Sequence, residues 1–182
     1  MRPLLSLVCV LSVACGSRPD VVPSSQKTSS ENTPRYDAKT FFDTTSLFGA
    51  RFSANGATVL YTSDKSGVYN LWSVPFKGGD AVQLTHSKTD ARFGIAYFPN
   101  DGRFLYAGDT GGNEQTHVFV RELNGTVKDL TPGKKLKARF GGFSRDGAHF
   151  YIWSNERNPK FFDAYRYASA GYAREMVFEN TH

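Results

Sequence analysis

Residues Phe52-Ser53-Ala54-Asn55-Gly56 form a phrase that returns twice along the chain, as Phe98-Pro99-Asn100-Asp101-Gly102 and as Phe143-Ser144-Arg145-Asp146-Gly147. The three Phe positions are 46 and 45 residues apart, and the three Gly positions have the same spacings. A period of about 40–50 residues that contains a turn and several short apolar runs is typical of one four-stranded blade of a β-propeller. The repeat therefore predicts an all-β chain that forms part of a propeller.

Each repeat continues with the pattern of a small antiparallel sheet. The Asn-Gly or Asp-Gly turn is a strong hairpin signal because an apolar run follows it. These runs are Thr58–Thr62, Phe104–Ala107 and His149–Trp153. A polar loop (Ser154–Pro159 in the third unit), an alternating third strand and a second turn come next. We expect about three four-stranded blades, at residues 44–88, 89–134 and 135–182.

The recurring aromatic residues are predicted to lie in the core. A single sheet cannot bury both of its faces, so blades stack and their apolar positions meet. Trp72 and Trp153 are expected to pack within strands as well. The expected core aromatics of the repeat are Phe52, Phe98, Phe143, Tyr61, Tyr106 and Tyr151.

The first 15 residues have the features of a targeting segment. Arg2 precedes a short apolar stretch, Leu4 to Val13, which is too short to span a bilayer. Residues 11–17 resemble a bacterial lipobox, which predicts lipid attachment at Cys15; ordinary signal cleavage after Ala14 is the alternative. Residues 16–36 are rich in Ser, Thr, Pro, Asn and Gln, and we expect a flexible linker there. The folded part then covers residues 37–182.

Charge and cysteine content limit the classes of function. The net charge is +5, but the basic residues cluster only at Lys134, Lys135 and Lys137, in a Pro/Gly turn where a solvated loop is expected. We therefore predict no nucleic-acid partner. Cys9 and Cys15 both fall in the targeting segment, so the folded part has no disulfide.

Two kinds of known propeller resemble this chain. Ala50–Gly56 with Leu60–Asp64 resembles the TolB-like (PD40) repeat, a Phe-Ser-Pro-Asp-Gly turn followed by Tyr-x-Ser-Asp. Residues Asp109–Arg121 with Val127–Gly133, and then Ser154–Asp163, resemble the N-terminal propeller of S9 (prolyl oligopeptidase family) serine peptidases. The resemblance is to the bacterial acylaminoacyl- and dipeptidyl-peptidase-like branch, and it covers about residues 37–180.

The S9 resemblance implies a non-catalytic role for this chain. In that family the propeller caps a C-terminal α/β-hydrolase domain, which supplies the catalytic Ser, Asp and His and cleaves the peptide substrate. This sequence has no Gly-x-Ser-x-Gly nucleophile elbow, and the nearest match, Gly142–Asp146, lacks the final Gly. We expect no catalytic residue, no metal and no cofactor here. The implied location is the bacterial cell envelope, with a lipid anchor in the membrane, or secretion.

Few residues are candidates for chemistry. His86, His117, His149 and His182 show no zinc-type spacing, and packing is expected for His117 and His149. Equivalent strands are followed by Asp64, Asp109 and Asn155. This repetition predicts a structural role, such as an Asx turn that closes each hairpin. Glu114 lies in a Gly-rich loop, Gly111-Gly112-Asn113-Glu114. Acidic propeller loops of the resembled peptidases meet a peptide's amino group, so Glu114 is the substrate-binding candidate; a structural salt bridge is the alternative.

Three hypotheses about function remain open from the sequence. The first is the propeller portion of an S9 peptidase, which gates peptide access to a hydrolase domain. The second is a TolB-like interaction propeller that binds a protein partner and has no enzymatic activity. The third is a truncated product of a disrupted reading frame. Three blades leave two radial faces unpaired, and this favours a fragment over a finished protein.

Overall fold

The computed structural model describes residues 34–181. The signal segment with Cys15, the linker up to residue 33 and His182 lie outside the described residues. All strands lie in the unit formed by residues 39–182. The elements are α1 (Ala38–Phe42), β1 (Leu47–Phe52), β2 (Thr58–Ser63), β3 (Asn70–Pro75), β4 (Val82–Gln83), β5 (Arg92–Tyr97), β6 (Phe104–Gly108), β7 (His117–Arg121), β8 (Val127–Asp129), β9 (Ala138–Phe143), β10 (His149–Asn158), β11 (Phe161–Ala168) and β12 (Arg174–Phe178).

The strands form three four-stranded antiparallel sheets, each with its strands in chain order. Blade 1 consists of β1–β4, blade 2 of β5–β8 and blade 3 of β9–β12. This arrangement confirms the predicted all-β fold and partial propeller. Each innermost strand (β1, β5 and β9) pairs with the second strand of its blade, and each of these pairs has a register shift. Such shifts bend an edge strand and increase its twist.

The Asn or Asp of the repeated phrase makes the same kind of local hydrogen bond in all three blades. The side-chain oxygen of Asn55, Asp101 and Asp146 accepts a hydrogen bond from the backbone N–H two residues later, at 2.8–3.0 Å. Gly56 and Gly147 follow with φ of 68° and 69°, a conformation that favours glycine. The local hydrogen bond explains why an Asx residue recurs at this position.

The repeat in sequence and the repeat in space differ by one residue in blade 2. Tyr97, not Phe98, is the spatial equivalent of Phe52 and Phe143. The equivalent cross-strand pairs are Phe52–Val59, Tyr97–Phe104 and Phe143–Phe150. Phe98 lies one position further along and packs on blade 3, with its ring centroid 5.2 Å from that of Phe143. A one-residue shift along an extended chain turns a side chain to the opposite face.

The core lies between blades. Phe98 is 1% exposed and belongs to the cluster that joins blades 2 and 3. Its other members include Leu105, Val118 and Val120 from blade 2, and Phe150, Ile152 and Tyr167 from blade 3. The cluster that joins blades 1 and 2 consists of Leu60, Leu71, Phe104 and Tyr106.

The prediction of core aromatics is wrong for Phe52, which is 59% exposed. Tyr97 contacts blade 1 and Phe143 contacts blade 2, but no blade precedes blade 1 among the described residues to cover Phe52. Tyr61 and Tyr151, on the outer faces of blades 1 and 3, are half-buried for the same reason. Trp153 is 40% exposed, so its predicted packing is also incomplete. The prediction holds for Phe98 and Tyr106, which are buried.

The prediction of a polar loop at Ser154–Pro159 is wrong for residues 154–158, because β10 continues to Asn158. The hairpin is held by Asp163, whose side chain is fully buried. Arg157 Nε and Nη2 donate to the two carboxylate oxygens of Asp163 at 2.8 and 2.9 Å. A bidentate ion pair to a buried carboxylate fixes geometry, and a sequence pattern of polar residues does not reveal it.

A polar brace joins blades 2 and 3. Arg103 Nη1 donates to the hydroxyl of Tyr172 at 2.6 Å, and that hydroxyl donates to Glu122 Oε1 at 2.6 Å. The Arg103 guanidinium lies 4.2 Å from the Phe98 ring centroid and forms an ion pair with Asp101. Burial, followed by the hydrogen bond to Glu122, raises the pKa of Tyr172 to about 12. The hydroxyl therefore stays protonated and keeps both bonds at neutral pH.

Candidate functional site

The Glu114 loop has a strained and well-defined backbone. Glu114 has a φ of 58°, which is uncommon for a residue with a side chain. Its backbone N–H donates to Asp109 Oδ2 at 3.0 Å. Gly111 and Gly112 also have positive φ, at 65° and 67°. The loop thus turns back on Asp109, and Glu114 lies where the loop closes.

The Glu114 carboxylate is open to solvent. Its side chain is 84% exposed, and Lys137 Nζ lies 3.7 Å from Oε2. An exposed ion pair at this distance contributes at most about 1 kcal/mol. The predicted structural salt bridge therefore exists but is weak, and the carboxylate can receive a ligand. It is the backbone of Glu114, through Asp109, that holds the loop.

Glu114 borders the outer of two adjacent cavities, which we together call the interblade groove. The outer cavity has a volume of about 330 Å³ and is lined by Glu114, Asp109 and Lys137, among others. The inner cavity has a volume of about 420 Å³ and is lined by residues from the innermost strand of every blade. Three residues line both cavities: Thr116, Ala138 and Arg139.

Charge is unevenly distributed along the groove. Acidic groups, Asp109 and Glu114, lie at the outer cavity together with Lys137. The inner cavity has two charged lining residues, Arg51 and Arg139. Its remaining wall is apolar or small, with Ile95, Val118 and Phe140 among the lining residues. A ligand in the groove therefore meets charges of both signs at the outer cavity and only positive charge at the inner cavity.

Sequence reasoning missed both arginines, although a signal for them exists. The triplet Ala-Arg-Phe occurs three times, at residues 50–52, 91–93 and 138–140. Each copy includes residues of an innermost strand. A search for repeated charged residues in these strands points to the inner cavity, whereas the search for catalytic motifs does not.

The residues predicted to follow the second strands, of which Asn155 lies within β10, have structural roles, as predicted, but not the same one. Asp64 Oδ1 accepts a hydrogen bond from Ser46 N at 2.8 Å, and Asn155 Oδ1 accepts one from Lys137 N at 2.6 Å. Both bonds fix the residue that precedes an innermost strand. Asp109 instead closes its own loop. An Asx turn that closes each hairpin is therefore not their common role.

His117 does more than pack, in contrast to its prediction. Its Nδ1 lies 2.7 Å from Asp129 Oδ2, and this contact joins the third and fourth strands of blade 2. The other two blades have an equivalent polar tie at the start of the third strand, where Asn70 Oδ1 accepts from Ser87 N at 2.9 Å and Asp163 Oδ1 accepts from Asn180 N at 2.8 Å. The repetition assigns His117 a structural role.

Within residues 34–181, no group of three or more His, Cys, Asp or Glu side chains could hold a metal ion. The same part of the chain has no helix that is long and apolar enough to cross a membrane. The Cys15 prediction falls on residues that the structure does not describe.

No protein-family model matches the chain, and no curated protein matches it. Solved structures do. TolB from Acinetobacter baumannii is similar with a TM-score of 0.55 and 16% identity, over 72% of this chain and 32% of TolB. The chain thus spans about a third of the length of that relative.

Two peptidase structures are similar to the same degree. A prolyl endopeptidase structure has a TM-score of 0.58 and 9% identity, over 72% of this chain and 21% of the peptidase. A puromycin-hydrolyzing peptidase from Mycobacterium tuberculosis has a TM-score of 0.54 and 13% identity, over 75% of this chain and 22% of the peptidase. At these identities the likeness establishes the propeller-type fold.

Proposed function

We propose that this chain is the non-catalytic propeller portion of an S9-family serine peptidase, and that it binds and guides peptides toward a hydrolase domain. The observation that carries the proposal is the open carboxylate of Glu114 at the mouth of the interblade groove. The similar peptidase structures support the same architecture. In this proposal the bond cleavage belongs to the hydrolase domain, and the propeller supplies recognition.

The chemistry of Glu114 suits the amino terminus of a peptide. An exposed carboxylate held on a fixed backbone accepts hydrogen bonds from an ammonium group, and bonds between charged groups are the stronger kind. Its present partner, Lys137, is 3.7 Å away and 43% exposed, so a peptide amine can displace it at small cost. The adjoining cavity then receives the first residues of the peptide.

Calorimetry on the full chain tests this role of Glu114. The probes are Ala-Leu-Ala amide with a free amino terminus and the same peptide N-acetylated. A charge-assisted hydrogen bond contributes enough for the free amine to bind about tenfold more tightly. Glu114→Gln is expected to abolish this preference. Glu175→Gln, which removes an exposed carboxylate paired with Arg166, is the matched control. Equal binding of the two peptides by the unmodified chain would contradict the proposal.

The absence of catalysis in this chain has its own assay. We expect no peptidase turnover and no labelling by a fluorophosphonate probe, which reacts with activated serines. Robust labelling of any serine would contradict a non-catalytic role.

A TolB-like interaction propeller is the second candidate, supported by the TolB likeness. The coding sequence beyond His182 separates the two: more repeats of this length and a Gly-x-Ser-x-Gly motif indicate the peptidase, whereas repeats without that motif indicate the interaction propeller.

The proposal includes the organisation of the chain and its location. Residues 1–15 act as a signal segment with lipid attachment at Cys15, residues 16–36 as a linker and residues 37–182 as propeller blades. The lipobox-like sequence Leu11-Ser12-Val13-Ala14-Cys15 supports attachment to a membrane of the cell envelope.

A further inference from the structure

The innermost strands are rich in arginine and have no acidic residue. β1, β5 and β9 read LFGARF, RFGIAY and ARFGGF. Of their three arginines, Arg92 has partners: Nη1 donates to the carbonyl oxygen of Asp109 at 2.7 Å, and Nη2 lies 3.5 Å from Asp90 Oδ2. Arg51 and Arg139, which line the inner cavity, are different.

Neither Arg51 nor Arg139 has a carboxylate within 4.0 Å among residues 34–181. Arg51 Nη1 donates to the carbonyl oxygen of Ala50 at 2.8 Å. The Arg139 guanidinium lies 5.0 Å from the ring centroid of Phe162. A guanidinium beside an aromatic ring keeps N–H groups for a planar, bidentate acceptor. Arg139 is thus positioned to bind a carboxylate.

The inner cavity has the size and lining of a ligand site. Its volume of about 420 Å³ lies in the range of small-molecule pockets, about 300–1,000 Å³. Apolar side chains, Ile95, Val118 and Phe140, form part of the wall beside the two arginines. Cationic groups next to an apolar wall suit a carboxylate that is attached to an apolar residue.

We infer that the inner cavity binds the C-terminal carboxylate of a short apolar peptide, with Arg51 and Arg139 as its ligands. This inference rests on the proposed function and deepens it. Glu114, Asp109 and Lys137 line only the outer cavity, Arg51 lines only the inner cavity, and Arg139 lines both. A peptide whose amino terminus meets Glu114 then extends inward toward Arg139, which borders both cavities. The groove selects short peptides that have a free carboxylate.

The test uses N-acetyl-Ala-Leu-Ala as the free acid and as the amide, with calorimetry on the full chain at low ionic strength. Acetylation removes the amine, so Glu114 does not contribute. We expect the acid to bind about tenfold more tightly than the amide, as charge-assisted hydrogen bonds allow. Arg139→Gln and Arg51→Gln should each reduce this ratio to within about twofold, while Arg139→Lys should keep part of it because it retains the charge.

The control is Arg145→Gln, because Arg145 is an exposed arginine in the turn between β9 and β10. It should keep the full acid-to-amide ratio, and so should Glu114→Gln. Equal affinity of acid and amide for the unmodified chain overturns the inference, and so does loss of the preference in Arg145→Gln alone. If the acid preference depends on Arg139 but free-amine peptides show no preference, the carboxylate site stands and the proposed role of Glu114 fails.

Discussion

At the scale of single residues, the position relative to the neighbouring blade decides how much an aromatic side chain contributes to stability. Phe52 and Phe98 occupy the same place in the repeated phrase, yet one is 59% exposed and the other 1%. Phe98 also lies under the Arg103 guanidinium and against Phe143 and Phe150. The same residue type at the same position of the motif therefore contributes different amounts to the free energy of unfolding.

Replacing Phe98 by Ala should destabilise the chain much more than replacing Phe52 by Ala. Loss of a buried Phe costs about 3–5 kcal/mol, since packing is lost and a cavity remains. Phe52→Ala, the matched control, should cost less, about 1 kcal/mol, because its side chain is mostly exposed. Urea unfolding of both variants measures the difference. Equal costs would show that Phe98 is not a core residue.

At the scale of elements, every blade has a polar tie between its third strand and the segment that comes after that strand. In blade 3 this tie is Asp163, which also receives both hydrogen bonds from Arg157. The hydrogen bond from Arg157 is the main reason that the pKa of Asp163 is lowered from its ordinary value of 3.8. The long β10–β11 hairpin thus depends on an ionised carboxylate.

The stability of the chain should therefore fall in acid through Asp163. Because the folded pKa is below 3.8, the contribution is present above that value and is lost as the pH falls below it. Asp163→Asn should be less stable at neutral pH and should show a smaller loss between pH 5 and about pH 2. Urea midpoints across this range provide the measurement. Asp80→Asn, in the exposed turn after β3, is the control. An acid dependence unchanged in Asp163→Asn would contradict this assignment.

At the scale of the whole molecule, the outer faces of blades 1 and 3 expose apolar surface. Leu47, Val59 and Tyr61 line a depression of about 320 Å³ on blade 1, and Trp153 lies 6.3 Å from Phe178 on blade 3. Exposed apolar patches of this kind favour association with other surfaces. Blade stacking in the interior shows how such faces are covered when a neighbour is present.

The proposed lipid anchor is also a property of the whole chain. Replacing Cys15 by Ser should move the protein from the membrane fraction to the supernatant of expressing cells, because the acyl chains can no longer attach. The urea midpoint of the blades should not change, since Cys15 precedes them by more than 30 residues. Cys9→Ser is the control and should stay with the membrane. Membrane retention of Cys15→Ser would contradict lipid attachment at this residue.

The sequence by itself determined the all-β class, the blade spacing and the repeated turn, because these depend on local signals. An Asx residue bonds to its own backbone two residues on, and alternation within a few residues sets a strand. It also made Glu114 a candidate, since a Gly-rich loop can be recognised from local sequence. The carboxylate's exposure and the groove beside it were not predictable from that loop.

The tertiary structure decided which faces are covered and which side chains meet. In the tertiary structure Tyr97 occupies the position expected of Phe98, and β10 continues through a predicted loop. Arg51 and Arg139 line one cavity. These outcomes depend on contacts between residues that are far apart in sequence, such as Arg51 and Arg139, which a repeat pattern does not encode. Bulges and blade stacking set those contacts, because a one-residue shift changes the face on which a side chain lies.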